Sequence, residues 1–359
     1  MARDADVVVV GAGVAGAATA RALAAAGRGV LLLDRFEPGH RRGSSHGGSR
    51  IFRLNYPDER YVRMALSALE GWRELEAECG ERLILPTGVL DLGPSAMENG
   101  RALAACGVAY EELDAREIAR RWPLRVEPGE TGLFQPSGGI TLAARACAAF
   151  LEGAVAAGAE LRAPALVRSL EPGRNTVRLD TTLGPVVARA VVVTAGSWAP
   201  TLLATAGIEL AVVPTRETVC HVALPGAEEL PPLIDYGRTP KPGEAGLRRS
   251  GQAVFSLATP GLGLKVGLHH GGPITDPDDD PQPDAAIAAW IAAWARGRYL
   301  GVGDDLGAET CLYTNTADQR FVLERHGRIV VGSACSGHGF KFAPLVGRTL
   351  AALATGAAR

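Results

Sequence analysis

The sequence predicts an α/β protein of two interleaved units, a Rossmann-like parallel sheet layered with helices and a second, mostly antiparallel sheet. Three observations carry that expectation. A β-branched run at 6–10 passes straight into spaced glycines and an alanine-rich helical stretch. Buried-strand patterns of the same kind return in the middle of the chain and near its end. Between them, from about Val212 to His270, the pattern is strand-like with Pro/Gly-rich connections. A length of 359 residues agrees with about two domains at roughly 150 residues each.

The elements follow in order. Asp6–Val10 reads as a short buried parallel strand, and the helix after it runs to about Ala26, where Gly27 ends it. Val30–Asp34 is the second strand of this βαβ unit. Residues 36–50 read as a loop rich in Gly, Ser, His and Arg, and Tyr61–Cys79 as an amphipathic helix. Val89–Leu92, Leu133–Gln135 and the stretch around Leu161–Leu170 read as strands, Leu142–Ala157 as a helix, and 171–175 as a hairpin turn. Ala190–Thr194 is a further buried strand. Residues 275–284 form a charged, breaker-rich solvated loop leading into a helix over Ala285–Arg296. A strand at Ile329–Val331, a Gly-rich turn and a helix to about Thr355 close the chain. The expected division is 1–85, 140–210 and 305–359 in the first unit, with 86–139 and 211–304 in the second.

Composition excludes several classes. Lys plus Arg is 37 and Asp plus Glu is 39, a net charge of −2, without the basic excess of a nucleic-acid binder. Hydrophobic residues at 47% argue against wholesale disorder. The six cysteines form no CxxC pair, so a zinc ribbon or thioredoxin motif is not expected, nor any metal site; irregular spacing speaks for reduced thiols and a cytoplasmic setting. Val7–Ala26 is nearly all apolar, but Asp4 and Asp6 precede it where a targeting segment carries positive charge. No other run approaches the roughly 20 apolar residues of a membrane span.

Five motifs carry chemistry. In Gly11-x-Gly13-x-x-Gly16 the first glycine permits the turn, the second lets backbone approach a pyrophosphate, and the third lets helix pack on strand. Asp34, followed by Arg35, ends the second strand, where a carboxylate accepts from a ribose diol. This motif does not separate NAD from FAD; an acid at 34 disfavours NADP. The second motif, residues 43–53, sets small residues (Ser44, Ser45, His46) beside Arg50 and Arg53, suiting a flat ring or a diphosphate. The third, residues 332–344, is a glycine turn opening the last helix, with Gly337, His338, Gly339 and a Lys341 for which a carboxylate partner is expected. The fourth is Glu309-Thr-Cys311-Leu-Tyr313, whose cysteine alone reads as a small core residue. In the fifth, Lys265 and His269 lie four apart, hence on one face of a strand.

Together these segments resemble the monomeric sarcosine oxidase and N-methyltryptophan oxidase family of FAD-dependent amino-acid oxidases, over nearly the whole chain from Val7 to Thr355. The most specific stretches are Ser-Ser-His-Gly-Gly-Ser-Arg-Ile-Phe-Arg, Cys-Leu-Tyr-Thr and Ser-Gly-His-Gly-Phe-Lys-Phe. The resemblance implies FAD, attached through Cys311, as cofactor. It implies that Arg53 and Lys341 hold a substrate carboxylate, that Lys265 promotes reaction with oxygen, and that Arg50 lies against the flavin. His269 and Tyr313 match pocket residues, His338 and its glycines the turn beneath the flavin, and Val167, Ala195 and Trp198 cofactor-binding segments. The implied reaction is oxidation of a secondary or N-methyl amino acid to an imine, with O2 reduced to H2O2. The expected partners are a small-molecule amine and O2, without nucleic acid or membrane, on a monomer. A tailoring oxidase of a cyclic imino acid and a dehydrogenase using an electron carrier stay open. Two departures stand out: Val254 stands where the family places an aromatic, and the chain ends soon after the last helix, where family members often continue.

Overall fold

The computed structural model describes residues 4–237 and 252–356; part of the strand-like stretch expected at 212–270 lies at 238–251, outside the described residues. The βαβ unit forms as expected. Ala5–Val10 lies between Val30–Leu33 and Val186–Val193, all parallel, and Ile329–Ser333 continues the row beyond the last of these. Val7 and Val9 pack on the helix layer that includes Val14–Ala25, while Val8 and Val10 enter the core on the other face. A strand buried on both faces needs no polar alternation, which explains the unbroken apolar run. A Cβ on Gly16 would come within 1.7 Å of the Gly11 carbonyl oxygen, so only glycine lets this helix sit on its strand.

The stretch around Leu161–Leu170 divides into two strands, Glu160–Arg162 and Val167–Pro172, the latter in an antiparallel hairpin with Val177–Thr181. Helices at Ala96–Ala105 and Ala115–Arg121 escaped the sequence reading; both are short, and each carries too few turns for a clear period. The end of the expected 36–50 loop is ordered as the strand Ser49–Phe52, paired with Gly139–Leu142.

A second eight-stranded sheet runs in the order Asp305–Asn315, Val213–Val222, Gly263–Leu268, Val254–Thr259, Leu233–Asp235, Val89–Leu92, Thr131–Gln135, Glu111–Asp114. Its pairs are antiparallel except for 233–235 against 89–92. We keep the expected division of the chain as a proposal with one amendment: 305–315 pairs with 213–222 along its length and joins this sheet. One face buries Val254, Leu264, Val266 and Leu268 in a core shared with Ile287, Ile291 and Ala295 of the helix Ala285–Arg298. Asp284 caps that helix through Ala286 N (2.9 Å) and Ile287 N (3.0 Å). The other face looks toward the parallel sheet. Among the described residues no helix is long and apolar enough to cross a membrane.

Candidate active site

Between the two sheets lies a cavity of about 1460 Å3. Ligand pockets for drug-sized molecules run to roughly 300–1,000 Å3, so this space takes something longer. At one end it is lined by Gly11, Gly13, Asp34, Arg35, Ser44, Ser45, Val167, Ala195 and Trp198; at the other by Arg50, Arg53, Lys265, His269, Cys311, Tyr313, Gly337, His338, Gly339 and Lys341, with His46 between. Every site residue expected from sequence therefore lines one cavity except Gly16, whose place is the helix–strand contact.

The dinucleotide end is pre-ordered. Asp34 accepts from Ala12 N (2.6 Å) and Phe36 N (2.8 Å), which fixes its carboxylate beside the glycine turn. Ser45 Oγ accepts from Val14 N at 3.0 Å, tying the 43–53 segment to the start of the first helix. The 275–284 segment is more than a solvated loop. Asp278 Oδ1 accepts from Arg35 Nη1 (2.8 Å) and Trp198 Nε1 (2.9 Å), so the loop straps this end of the cavity.

Register on the second sheet builds the other end. Lys265 stands opposite His221 on one side and Leu257 on the other; Glu217 stands opposite Cys311, and Val219 opposite Glu309. Alternate residues share a face, so Glu309, Cys311 and Tyr313 present together along one strand. Phe255, Leu257 and Thr259 do the same on another. Val254, expected to replace a pocket aromatic, points into the core instead; Phe255 is the aromatic at the cavity.

Lys265 donates to the Ser49 carbonyl, and burial with nearby Arg50 pushes its ammonium down to about 7. Among the described residues Lys341 has no carboxylate partner: it donates to Tyr56 Oη (2.9 Å) and the His338 carbonyl (2.7 Å). Burial, then Arg53, holds its ammonium well below the usual lysine range. Arg53 donates to Tyr236 Oη at 2.8 Å. Behind Tyr236, Asn99 Nδ2 donates to Asp91 Oδ2 (2.7 Å), and burial pushes the Asp91 carboxyl up. Arg50 is held by the Ser44 (2.9 Å) and His46 (2.6 Å) carbonyls. His269 Nδ1 lies 3.4 Å from Tyr313 Oη, and a Cβ on Gly337 would strike both rings, at 2.7 and 2.2 Å. Cys335 lines the cavity and its sulfur accepts from Thr314 N at 3.4 Å.

The arrangement can thus hold an anion between Arg53 and Lys341, with a second cation, Lys265, in the same cavity. Sequence reasoning missed Tyr56 and Tyr236, since single tyrosines outside a motif carry no spacing signal. It also missed Asp278, hidden in an acidic loop that reads as solvated. Among the described residues no cluster of His, Cys, Asp and Glu could hold a metal ion, and the six cysteines are free thiols.

Residues 6–353 match the family described as FAD dependent oxidoreductase, DAO. The chain belongs to that family. It is similar to the peroxisomal sarcosine oxidase of Homo sapiens, 34% identical over 96% of this chain and 90% of the relative. It is 32% identical to the monomeric sarcosine oxidase of Arthrobacter sp., over 98% of this chain and 92% of that one. Among solved structures it is similar to NikD, an unusual amino acid oxidase essential for nikkomycin biosynthesis. The TM-score is 0.88 at 29% identity, covering 100% of this chain and 95% of NikD. As a DAO family member the chain is an FAD-dependent oxidoreductase, and its residues fit that cofactor. The cavity exceeds a small-ligand site, the glycine turn lies at one end, and both His46 ring nitrogens are buried without a protein partner. Burial, then Arg50, pushes His46 down to about 4, so it offers a neutral imidazole to whatever lies there.

Proposed function

We propose that this protein oxidises a secondary or N-methyl amino acid at the C–N bond, giving an imine, with O2 reduced to H2O2. The observation that carries the reading is the placing of an anion clamp, Arg53 and Lys341, in the same cavity as Lys265 and Cys311. When bound, FAD supplies the two-electron acceptor; the protein orients and polarises. Arg53 and Lys341 hold the substrate carboxylate, which fixes the reacting carbon. Such positioning is worth up to roughly 7–11 kcal/mol of barrier. Tyr313, His269 and Phe255 enclose the rest of the amine. Neutral His269, held well below the usual imidazole range by burial, adds no further positive charge to repel an amine. Lys265 stabilises the negative charge that develops on oxygen.

Cys311 is the residue through which the cofactor is attached in this reading. Burial pushes its thiol up to about 11, while Arg50 and Lys265 act the other way and favour the thiolate that attachment needs. Replacing it by Ala should give protein whose yellow colour passes through a filter after denaturation; retained colour assigns attachment elsewhere. The remaining expectations belong to the same reading: a monomer acting on a small molecule, supported by the monomeric name of the Arthrobacter relative, and a cytoplasmic setting, which that name does not address.

The test is anaerobic. The purified protein is mixed with sarcosine, other N-methyl amino acids, proline, pipecolate and primary amino acids, and the flavin absorbance is followed. Bleaching by secondary or N-methyl amines is the expected result. Bleaching by primary amino acids alone overturns the proposed substrate class.

A further inference from the structure

Lys241, Lys265 and Lys341 are the only lysines among the chain's 37 basic residues. Two of the three lie buried in the cavity, while the surface ion pairs among the described residues use arginine almost throughout. Arginine is charged at any working pH, whereas a buried lysine shifts readily. A lysine kept in such a place needs something to set its charge; Lys265 donates to the Ser49 carbonyl, and among the described residues no carboxylate forms an ion pair with it.

We propose that Glu309 is the counter-charge of Lys265, a positioning residue that keeps its ammonium protonated during reduction of dioxygen. This rests on the oxidase reading above. Glu309 and Lys265 face the same cavity wall, with His221 between them. His221 is the direct cross-strand neighbour of Lys265. Glu309 is its diagonal neighbour on the opposite strand, with Oε1 4.0 Å from His221 Nε2. A Cβ on Gly47 would lie 3.5 Å from that same Oε1 and 3.2 Å from Arg50 Nη1, which puts the carboxylate against the 43–53 segment. The other carboxylates lining the cavity, Asp34, Asp276 and Asp278, belong to its dinucleotide end. Glu309 is therefore the one carboxylate, among the described lining residues, set among Lys265, Arg50, His46 and His221.

The signs are consistent. Burial and Arg50 disfavour the Lys265 ammonium, and Glu309 favours it. His221, which Lys265 and Glu309 push in opposite directions, is held below its usual value chiefly by burial. His46, faced by Arg50, Glu309, Arg41 and Lys265, is likewise neutral. Neither imidazole competes with Lys265 as a cation. Dioxygen becoming hydrogen peroxide takes two electrons and two protons. Bound FAD, reduced to its anion, would supply both electrons and one proton, and water would supply the second proton. The lysine's part is electrostatic: a fixed positive charge where oxygen becomes negative, which is lost when the ammonium loses its proton.

The experiment uses FAD-loaded protein labelled with [ε-13C]lysine, whose three lysines give three signals, Lys265 being assigned by Lys265→Met. In Glu309→Gln the Lys265 midpoint should fall by about one pH unit or more, the effect of removing one nearby opposite charge. The Lys341 signal should hold its position. Glu309→Asp should restore most of the shift. In stopped flow the reoxidation rate should lose its high-pH limb by the same displacement, with anaerobic reduction by amine unchanged. A Lys265 midpoint that is the same in Glu309→Gln overturns the proposal. So does a change confined to the anaerobic step, which would make Glu309 a base toward the amine. Should no amine reduce the protein, the oxidase reading fails while the titration still decides the pairing.

Discussion

In the proposed clamp Arg53 and Lys341 would meet one anion with unequal chemistry. The guanidinium is a permanent charge; the ammonium is pushed toward neutrality by burial and by Arg53 itself. Binding of a carboxylate restores the favourable charge at Lys341, so binding takes up a proton. KM should therefore rise as pH is raised, and Lys341→Met should flatten that dependence; an unaltered slope in the variant would assign it to another group. Arg53→Ala should raise KM by roughly 10- to 100-fold, the loss of a charge-assisted hydrogen bond worth about 1.5–3 kcal/mol. An unchanged KM removes Arg53 from the clamp. Lys265→Met should slow reoxidation by about two orders of magnitude, as when one preorganised donor is removed, and leave anaerobic reduction intact. Equal slowing of both steps would reject its assignment to oxygen.

Among the elements, the 275–284 strap makes the clearest prediction. Arg216 Nη2 donates to the Asp276 (3.2 Å) and Asp279 (3.1 Å) carbonyls, and Asp279 accepts from Asp276 N (3.1 Å), so the loop is stiff at its base. Its reach across the cavity depends on Asp278. Asp278→Asn should weaken retention of FAD in a Cys311→Ala background, read as a faster loss of cofactor on dialysis, with the helix content unchanged. The elements also show what a sequence can announce. The βαβ unit and the 43–53 and 332–344 motifs were legible because local spacing and backbone demand fix their residue types; 309–313 was legible only through the family resemblance, since its cysteine alone reads as a core residue. Tyr56, Tyr236 and Asp278 were not, because each acquires its role only when a strand or loop distant in sequence is laid against it.

In the whole molecule, six histidines, 40, 46, 221, 269, 270 and 338, are held below their usual value, burial being the leading cause in each. His46 is pushed to about 4 and His338 to about 3. Below the unfolded value of about 6.5 the unfolded chain takes protons that the folded chain refuses, so stability falls with pH down toward about 4. Asp91 and Glu217, whose carboxyls are pushed up by burial, act in the opposite sense, but they are two against six. Tm should be lower at pH 5.0 than at pH 7.5, by calorimetry; a higher value at pH 5.0 would show the buried acids dominating. The same long-range packing explains why Phe255 rather than Val254 meets the cavity: which neighbour faces inward is decided by pairing with Gly267 and Leu268, not by composition. That register has a genetic corollary. Inserting one codon within 213–222, 254–259, 263–268 or 305–315 would exchange wall for core along the rest of that strand. The amine accepted by this scaffold can therefore drift through point changes at Val219, Phe255 or Leu257, while single-residue insertions in these strands should be purged.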